Sequence, residues 1–253
     1  MNAAASRGSE QMSEETAVIQ VTGSDIVDKD AITAFDWRVY GSATLAGVAV
    51  LIPIPVVDLI VEELYRRRMP RDIATRNGQT LSVRQVVQLN RRRDNGRLLG
   101  CLLLPIRAIF YLFRNIFRTV LYALSVVDAA DNLGYYWHRA FLINYIMRRG
   151  YLDDPARSET AIRVMHDLLN GLTTDPLTQL AQQILAIWGK QVIRLRAFVR
   201  YARKKEESAE LSATKAELAT AWGDYRKYLL EIAARYETQY HAQLQAQGAQ
   251  ARS

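Results

Sequence analysis

The sequence is short of the residues that mark β-rich and disulfide-bonded proteins. Its 253 residues include 13 glycines, six prolines and one cysteine, Cys101, which lies in an apolar run. One cysteine cannot form an intramolecular disulfide, so nothing points to an oxidising compartment. No β-type alternation extends beyond a few residues, whereas the helix formers Ala, Leu, Arg and Gln recur throughout. The sequence therefore predicts an all-α fold.

Motifs of catalysis and cofactor binding are also missing. The chain has no glycine-rich nucleotide-binding motif and no Gly-x-Ser-x-Gly motif. Its histidines, His138, His166 and His241, lack the spacing of metal ligands. Asp128 and Asp131 could form a carboxylate pair, but such pairs more often cap helices or pair with arginine. We predict a protein that is not an enzyme and uses no cofactor and no metal.

The N-terminus lacks the basic-then-apolar pattern of a secretory signal. Residues 1–36 contain seven acidic side chains against Arg7 and Lys29. Residues 1–23 are predicted to be a disordered acidic tail, and residues 248–253 a second, polar tail.

The middle of the chain is strongly basic. Residues 61–150 contain sixteen arginines, six acidic residues and no lysine. This charge implies an anionic partner, which could be phospholipid headgroups, nucleic acid or an acidic protein. Aromatic residues such as Phe110 and Tyr111 lie in an apolar stretch instead of alternating with the arginines, and this disfavours nucleic acid.

The first uncharged stretch covers residues 39–57, and its 19 positions could cross a hydrocarbon core of about 30 Å as one helix. Pro53 and Pro55 interrupt it, since each removes a backbone donor and disfavours helix in the preceding residue. We expect a helix ending near Leu51, a kink at the membrane, and a second helix from about Val56 with Asp58 in its first turn. Small residues on the first helix, such as Gly47, are expected to let another helix approach closely.

The second apolar stretch covers residues 98–127, in which Arg107, Arg114 and Arg118 are the only charges. Spacings of seven and four place these arginines within about 40° on a helix. The predicted helix is apolar nearly all round, which favours a membrane over a buried soluble core, although the soluble core remains the alternative.

Two further arginine clusters follow apolar helical patterns. They could be solvated helix ends that complement the helix dipole. They could also contact anionic headgroups, at about 1 kcal/mol for each residue near the surface. We predict lipid contact for the following arginines: Arg66, Arg67, Arg68, Arg91, Arg92, Arg93, Arg107, Arg114 and Arg118. Because arginine occurs on both sides of the apolar stretches, helices that lie in the interface or re-enter it fit better than spanning helices.

The chain changes character at Asp153, after which a hairpin domain is predicted over residues 153–247. Ser158 is expected to open a short helix, Pro176 a long one to about Lys204, and a last helix should run over residues 209–245. Apolar residues of the last helix recur with a heptad period: Leu211, Leu218, Trp222, Tyr225, Leu229, Ile232 and Tyr236. This period predicts a coiled-coil-like hairpin that binds a protein partner or a second copy of the chain.

Residues 41–78 resemble a pattern found in two bacterial membrane-associated families, the EcsC type and the YcjF type. A small-residue helix runs into Pro-x-Pro, followed by Asp, an apolar helix, a basic segment and Gly. The matching residues are Gly47, Pro53, Pro55, Asp58, Met69, Ile73 and Gly78. The resemblance implies helical structure and association with a bacterial inner membrane, and it supplies no catalytic residue.

Together these features predict an all-α, multi-helix bundle. Residues 24–152 would form a membrane-associating domain, and the C-terminal hairpin would present an interaction surface. The expected function is a non-enzymatic scaffold or interaction protein at the cytoplasmic face of a bacterial membrane, in contact with anionic phospholipid. A soluble regulatory or ligand-binding protein and a pore-forming effector are the alternatives.

Overall fold

The computed structural model describes residues 29–51, 57–91, 118–172, 176–189 and 208–250, and these residues contain helices and no strand. This confirms the predicted all-α fold class and helical bundle. The helices are α1 (Trp37–Val48), α2 (Val57–Arg76), α3 (Val83–Leu89), α4 (Arg118–Arg148), α5 (Pro155–Gly171), α6 (Pro176–Gly189), α7 (Ala209–Gly223) and α8 (Arg226–Gln250), and a 3₁₀ turn, Ala49–Leu51, extends α1.

Helix α4 is the centre of the bundle. Nearly every side chain from Ala129 to Met147 is buried. Helices α1, α2, α5, α6 and α8 all contact it. A helix that is apolar nearly all round can be buried this way in a soluble core as well as in a membrane.

The contacts of α4 fix the directions of its two N-terminal neighbours. Trp137 donates from Nε1 to Thr44 Oγ1 at 3.0 Å, and Gly47 packs directly on Leu133, so α1 is antiparallel to α4. Helix α2 is parallel to α4. Glu62, near the start of α2, accepts a hydrogen bond from Tyr136, whereas Asn77, just after the end of α2, donates to Asn144 further along α4. The close approach at Gly47 confirms the expected small-residue contact.

Local signals explain most helix ends. Ser82 caps α3 in a capping box with Gln85. Gly78 and Gly150 have φ of 67° and 69° and form the turns after α2 and α4. The prediction that Ser158 opens α5 is wrong, because Asp154 caps a helix whose first residue is Pro155. Proline at the first position fits a helix start, since its missing N–H would have no partner there.

Helical structure is interrupted just before α1. The chain leaves helical structure at residues 34–36, and the Asp36 side chain caps α1 by accepting from the Arg38 N–H. The predicted ends around the proline kink are confirmed, since the 3₁₀ turn finishes at Leu51 and α2 begins at Val57 with Asp58 in its first turn. Pro53 and Pro55 themselves lie outside the described residues.

The prediction of one continuous helix over residues 209–245 is wrong. Helix α7 ends at Gly223, where Tyr225 N–H turns back to the Trp222 carbonyl at 3.0 Å, and α8 begins at Arg226. Glycine is a poor helix former, and the tighter turn separates the two helices. The heptad spacing cannot reveal this break because it is compatible with helix on both sides.

Six of the seven heptad residues are buried, and Tyr225 is half-buried. Their partners are several helices: the Trp222 ring packs on Tyr40 of α1 at 4.4 Å between ring centroids, and Tyr236 donates to the Ala161 carbonyl of α5. The helix predicted to pair with them is described only as far as Gly189. One cluster of buried side chains contains residues from both sides of the predicted boundary at 152; the boundary itself stays a prediction.

Candidate membrane-contact surface

The two apolar stretches are described only in part. Residues 52–56 and 92–117 lie outside the described residues, and with them five of the predicted site residues besides Pro53: Pro55, Arg92, Arg93, Arg107 and Arg114. Arg118 is the first residue of α4. Among the helices that the structure describes, none has the length and apolar character needed to cross a bilayer.

Helix α2 carries an exposed row of two apolar and two basic side chains. Ile60 is 60% exposed and Leu64 is 58% exposed, and Arg67 and Arg71 are exposed one and two turns further on. At 100° per residue these four positions fall within about 60° of one another. The apolar and basic side chains therefore share one face of α2, with the apolar pair nearer the start of the helix and the basic pair nearer its end. We call these four residues the α2 row.

Two acidic residues of α2, Glu62 and Glu63, have partners within the fold. Glu62 accepts a hydrogen bond of 2.7 Å from Tyr136 in the bundle. Glu63 forms ion pairs with Arg66 and Arg67, and the hydrogen bond from Arg66 contributes most to lowering the pKa of Glu63 to about 2. At neutral pH Glu63 is thus a charged partner for arginine and is matched within the fold.

The three consecutive arginines of α2 have different surroundings. The Arg66 side chain is only 11% exposed and bonds to Glu63 and to the Asn90 carbonyl. The Arg67 side chain is 71% exposed, and Arg68 pairs with Asp72 at 3.1 Å. Neighbouring positions on a helix point about 100° apart, so a run of three cannot all face one way. Lipid contact by Arg67, Arg68 and the exposed Arg91 stays a prediction, and we leave Arg66 out of the surface because its guanidinium is already bound inside.

The sequence analysis missed Arg139, whose buried guanidinium fixes the end of α3. Its Nη2 donates to the Leu89 carbonyl at 2.7 Å and to Asn90 Oδ1 at 3.0 Å. Burial lowers the pKa of Arg139. With Arg66 it places two cations at the C-terminal end of α3, where the helix dipole is negative. The signal that could have identified it is a single arginine within the apolar pattern of residues 133–147.

The end of α1 and the start of α2 expose apolar side chains beside α4. Because α1 is antiparallel to α4 and α2 is parallel to it, the last turn of α1 lies beside the first turn of α2, and the 3₁₀ turn contacts α2 and α4. We call this surface the apolar patch; its members are Val50, Leu51, Leu59, Ile60, Val126 and Val127. Ile60 and Val127 are its most exposed residues. Asp58 and Asp128 adjoin this patch in the sequence.

A half-buried carboxylate on α8 and a cleft between α3 and α5 are two further polar features of the described residues. Glu237 of α8 accepts hydrogen bonds from Tyr145 and Tyr151 at 2.6 and 2.7 Å, which ties α8 to the end of α4. A cleft of about 540 Å³ lies between the N-terminal ends of α3 and α5, with Ser82, Gln85 and Ser158 among its lining residues. Its polar lining does not suit a lipid.

The histidines have separate surroundings. His138 is buried between the Gly134 carbonyl and the Tyr228 hydroxyl, His166 bonds to the Gln88 carbonyl, and His241 contacts Glu237. Within the described ranges, His, Cys, Asp and Glu form no group of three that could hold a metal ion.

Comparison of the chain with models of protein families, with characterised proteins and with solved structures finds no match. The resemblance of residues 41–78 to the EcsC-type and YcjF-type families therefore stays a prediction.

Proposed function

We propose that this chain is a non-enzymatic interaction protein that binds anionic phospholipid at the cytoplasmic face of a bacterial inner membrane. The observation that carries the proposal is the α2 row, in which exposed Ile60 and Leu64 are followed on the same face by exposed Arg67 and Arg71. Apolar side chains next to basic ones match an acyl region next to phosphates. The choice of a bacterial inner membrane rests on the family resemblance.

The energies of the α2 row correspond to weak binding. Burying the exposed parts of Ile60 and Leu64 contributes about 1–2 kcal/mol each, and each arginine near an anionic surface contributes about 1 kcal/mol. The sum of about 4–6 kcal/mol corresponds to dissociation constants from about 1 mM down to tens of micromolar. Stable association therefore needs a second contribution. Residues 39–49 cannot supply it, because they are buried in the bundle, so we assign it to the apolar residues of the stretch 98–127.

We assign the binding of other proteins to the C-terminal helices. We propose that the chain from Pro176 to about residue 245 forms a coiled-coil-like hairpin, whose outer face binds a protein partner or a second copy of the chain. The polar outer face of α8 supports this role.

A soluble all-α regulator is the second candidate, favoured by the continuous buried core around α4. Cell fractionation distinguishes the two candidate functions. Recovery in the membrane fraction through a high-salt wash supports the membrane protein, whereas recovery of the whole protein in the soluble fraction would support the regulator.

The direct test is co-sedimentation with vesicles that contain about a third anionic phospholipid. The variant Arg67→Glu/Arg71→Glu removes two attractions of about 1 kcal/mol each, so we expect binding at least about 30-fold weaker. The matched control is Arg157→Glu/Arg163→Glu, which reverses two exposed arginines of α5 that also pair with acidic neighbours. Equal binding by both variants and the unmodified chain would contradict the proposal.

A further inference from the structure

We infer that Glu63 competes with phospholipid phosphate for Arg67, so that an ion pair within α2 restrains lipid binding by the α2 row. The inference rests on the proposed function and adds how that binding is regulated. On contact with the membrane, Arg67 would exchange one anionic partner, a carboxylate of its own helix, for another, a phosphate of the lipid.

The pair that would have to break lies at the surface of α2. Arg67 donates from Nε to Glu63 Oε1, one turn earlier on the same helix. The Arg67 side chain is 71% exposed, and that of Glu63 is 35% exposed. A phosphate would either take the same N–H or share a guanidinium whose charge the carboxylate already matches. In both cases the pair weakens the attraction between Arg67 and the lipid.

Arg66 fixes the competing carboxylate in place. Its Nε donates to Glu63 Oε2 at 2.9 Å and its Nη2 to Oε1 at 2.7 Å, and its side chain is only 11% exposed. The two bonds hold Glu63 with Oε1 towards Arg67. They also leave Glu63 with a cationic partner when Arg67 departs, so the exchange strands no unpaired carboxylate and is reversible.

Glu63 adjoins the α2 row itself. At 100° per residue it lies between buried Arg66 and exposed Arg67, about 40° from Arg67 and about 60° from Ile60. The pair therefore sits at the edge of the surface that meets the lipid. A negative surface attracts an arginine more strongly as its charge density rises. The exchange is favourable where phosphates are dense, and Glu63 thereby raises the anionic content at which the chain binds.

The expected size of the effect follows from the exposure of the pair. An exposed ion pair changes an equilibrium by a factor of up to about five. We expect Glu63→Gln to bind anionic vesicles about three- to five-fold more tightly and to reach half-binding at a lower anionic fraction. The amide oxygen of the new side chain can still accept from Arg66, so the fold should persist.

The test is co-sedimentation of the full chain with phosphatidylcholine vesicles that contain from none to about half phosphatidylglycerol. The matched control is Glu159→Gln on α5, which removes the same charge from a carboxylate that also pairs with two arginines, Arg84 and Arg163. A second comparison places Glu63→Gln in an Arg67→Gln background. Circular dichroism checks the fold of each variant. Should Glu63→Gln not fold, Glu63→Asp keeps a carboxylate near Arg66, loosens the pair with Arg67 and takes its place in both comparisons.

We expect tighter binding for Glu63→Gln, no change for Glu159→Gln, and a gain below about twofold once Arg67 is absent. An equal gain for Glu159→Gln would assign the effect to net charge, and an undiminished gain without Arg67 would show that Glu63 does not act through it; either result overturns the inference. Unchanged or weaker binding by Glu63→Gln, with the unmodified chain still bound, overturns it as well and leaves the proposed function standing. An unmodified chain that binds no vesicle would overturn the proposed function first.

Discussion

His166 shows how burial sets the charge state of one side chain. The ring is half-buried between α5 and α3, and its Nε2 lies 3.0 Å from the Gln88 carbonyl. Burial lowers the pKa of His166 below its usual value, and the positive charges of Arg139 and Arg91 act in the same direction, against Asp167. The folded protein therefore holds this ring neutral.

The stability of the protein should decrease as His166 takes up a proton. Since the folded pKa is lowered, the contribution is complete above the unfolded pKa of about 6.5 and is lost as the pH falls from there towards the folded pKa. We expect urea denaturation of His166→Gln to depend less on pH than that of the unmodified chain. Identical curves for His166→Gln and the unmodified chain would contradict this assignment.

At the scale of helices, two consecutive residues of α4 are in close contact with two other helices. A Cβ atom on Gly47 of α1 would lie 2.6 Å from the Cα of Leu133. A Cβ atom on Gly134 itself would lie 3.0 Å from the Cα of Thr178 on α6. Backbone atoms cannot give way as a flexible side chain can, so glycine is required at both crossings.

We expect Gly47→Ala and Gly134→Ala each to lower the free energy of unfolding by about 1–3 kcal/mol through overpacking. This loss would occur despite the gain of up to about 1 kcal/mol in helix propensity. Urea denaturation measures both variants. Gly223→Ala is the matched control, because nothing lies within 4 Å of its Cβ position; a loss at Gly223 as large as at Gly134 would show that close packing is not the cause.

At the scale of the whole molecule, Trp222 joins the two ends of the chain. It is buried, donates from Nε1 to the Thr33 carbonyl at 3.0 Å, and packs on Tyr40 and Trp137 with centroid separations of 4.4 and 5.5 Å. Helices from residues 24–152 and from residues 153–247 therefore share one aromatic cluster, although heptad periodicity places Trp222 on a hairpin.

We expect Trp222→Ala to cost about 3–5 kcal/mol, because it leaves a cavity between α1, α4 and α7. The loss should appear as one transition that moves equally in near-ultraviolet and far-ultraviolet circular dichroism, since both parts of the chain lose packing together. Two transitions, only one of them shifted, would instead support independent folding on either side of residue 152.

The local pattern of the sequence determined the fold class and many of the helix ends. Ser82, Gly78 and Gly150 act through their own backbone or through neighbours within a few residues, so their roles can be recognised without tertiary information. The ends at Leu51 and Val57 follow from the conformational limits of Pro53 and Pro55 in the same way.

Only the tertiary structure decided which side chains are available at the surface. It buried Arg66 while exposing Arg67, placed Arg139 at the end of α3, directed Trp222 to α1, and left Ile60 and Val127 exposed. These outcomes depend on contacts between residues far apart in the chain, whereas helical periodicity relates only residues a few positions apart. An exposed arginine and a buried arginine produce the same local pattern, and the packing of α4 against its neighbours is the physical reason that they differ.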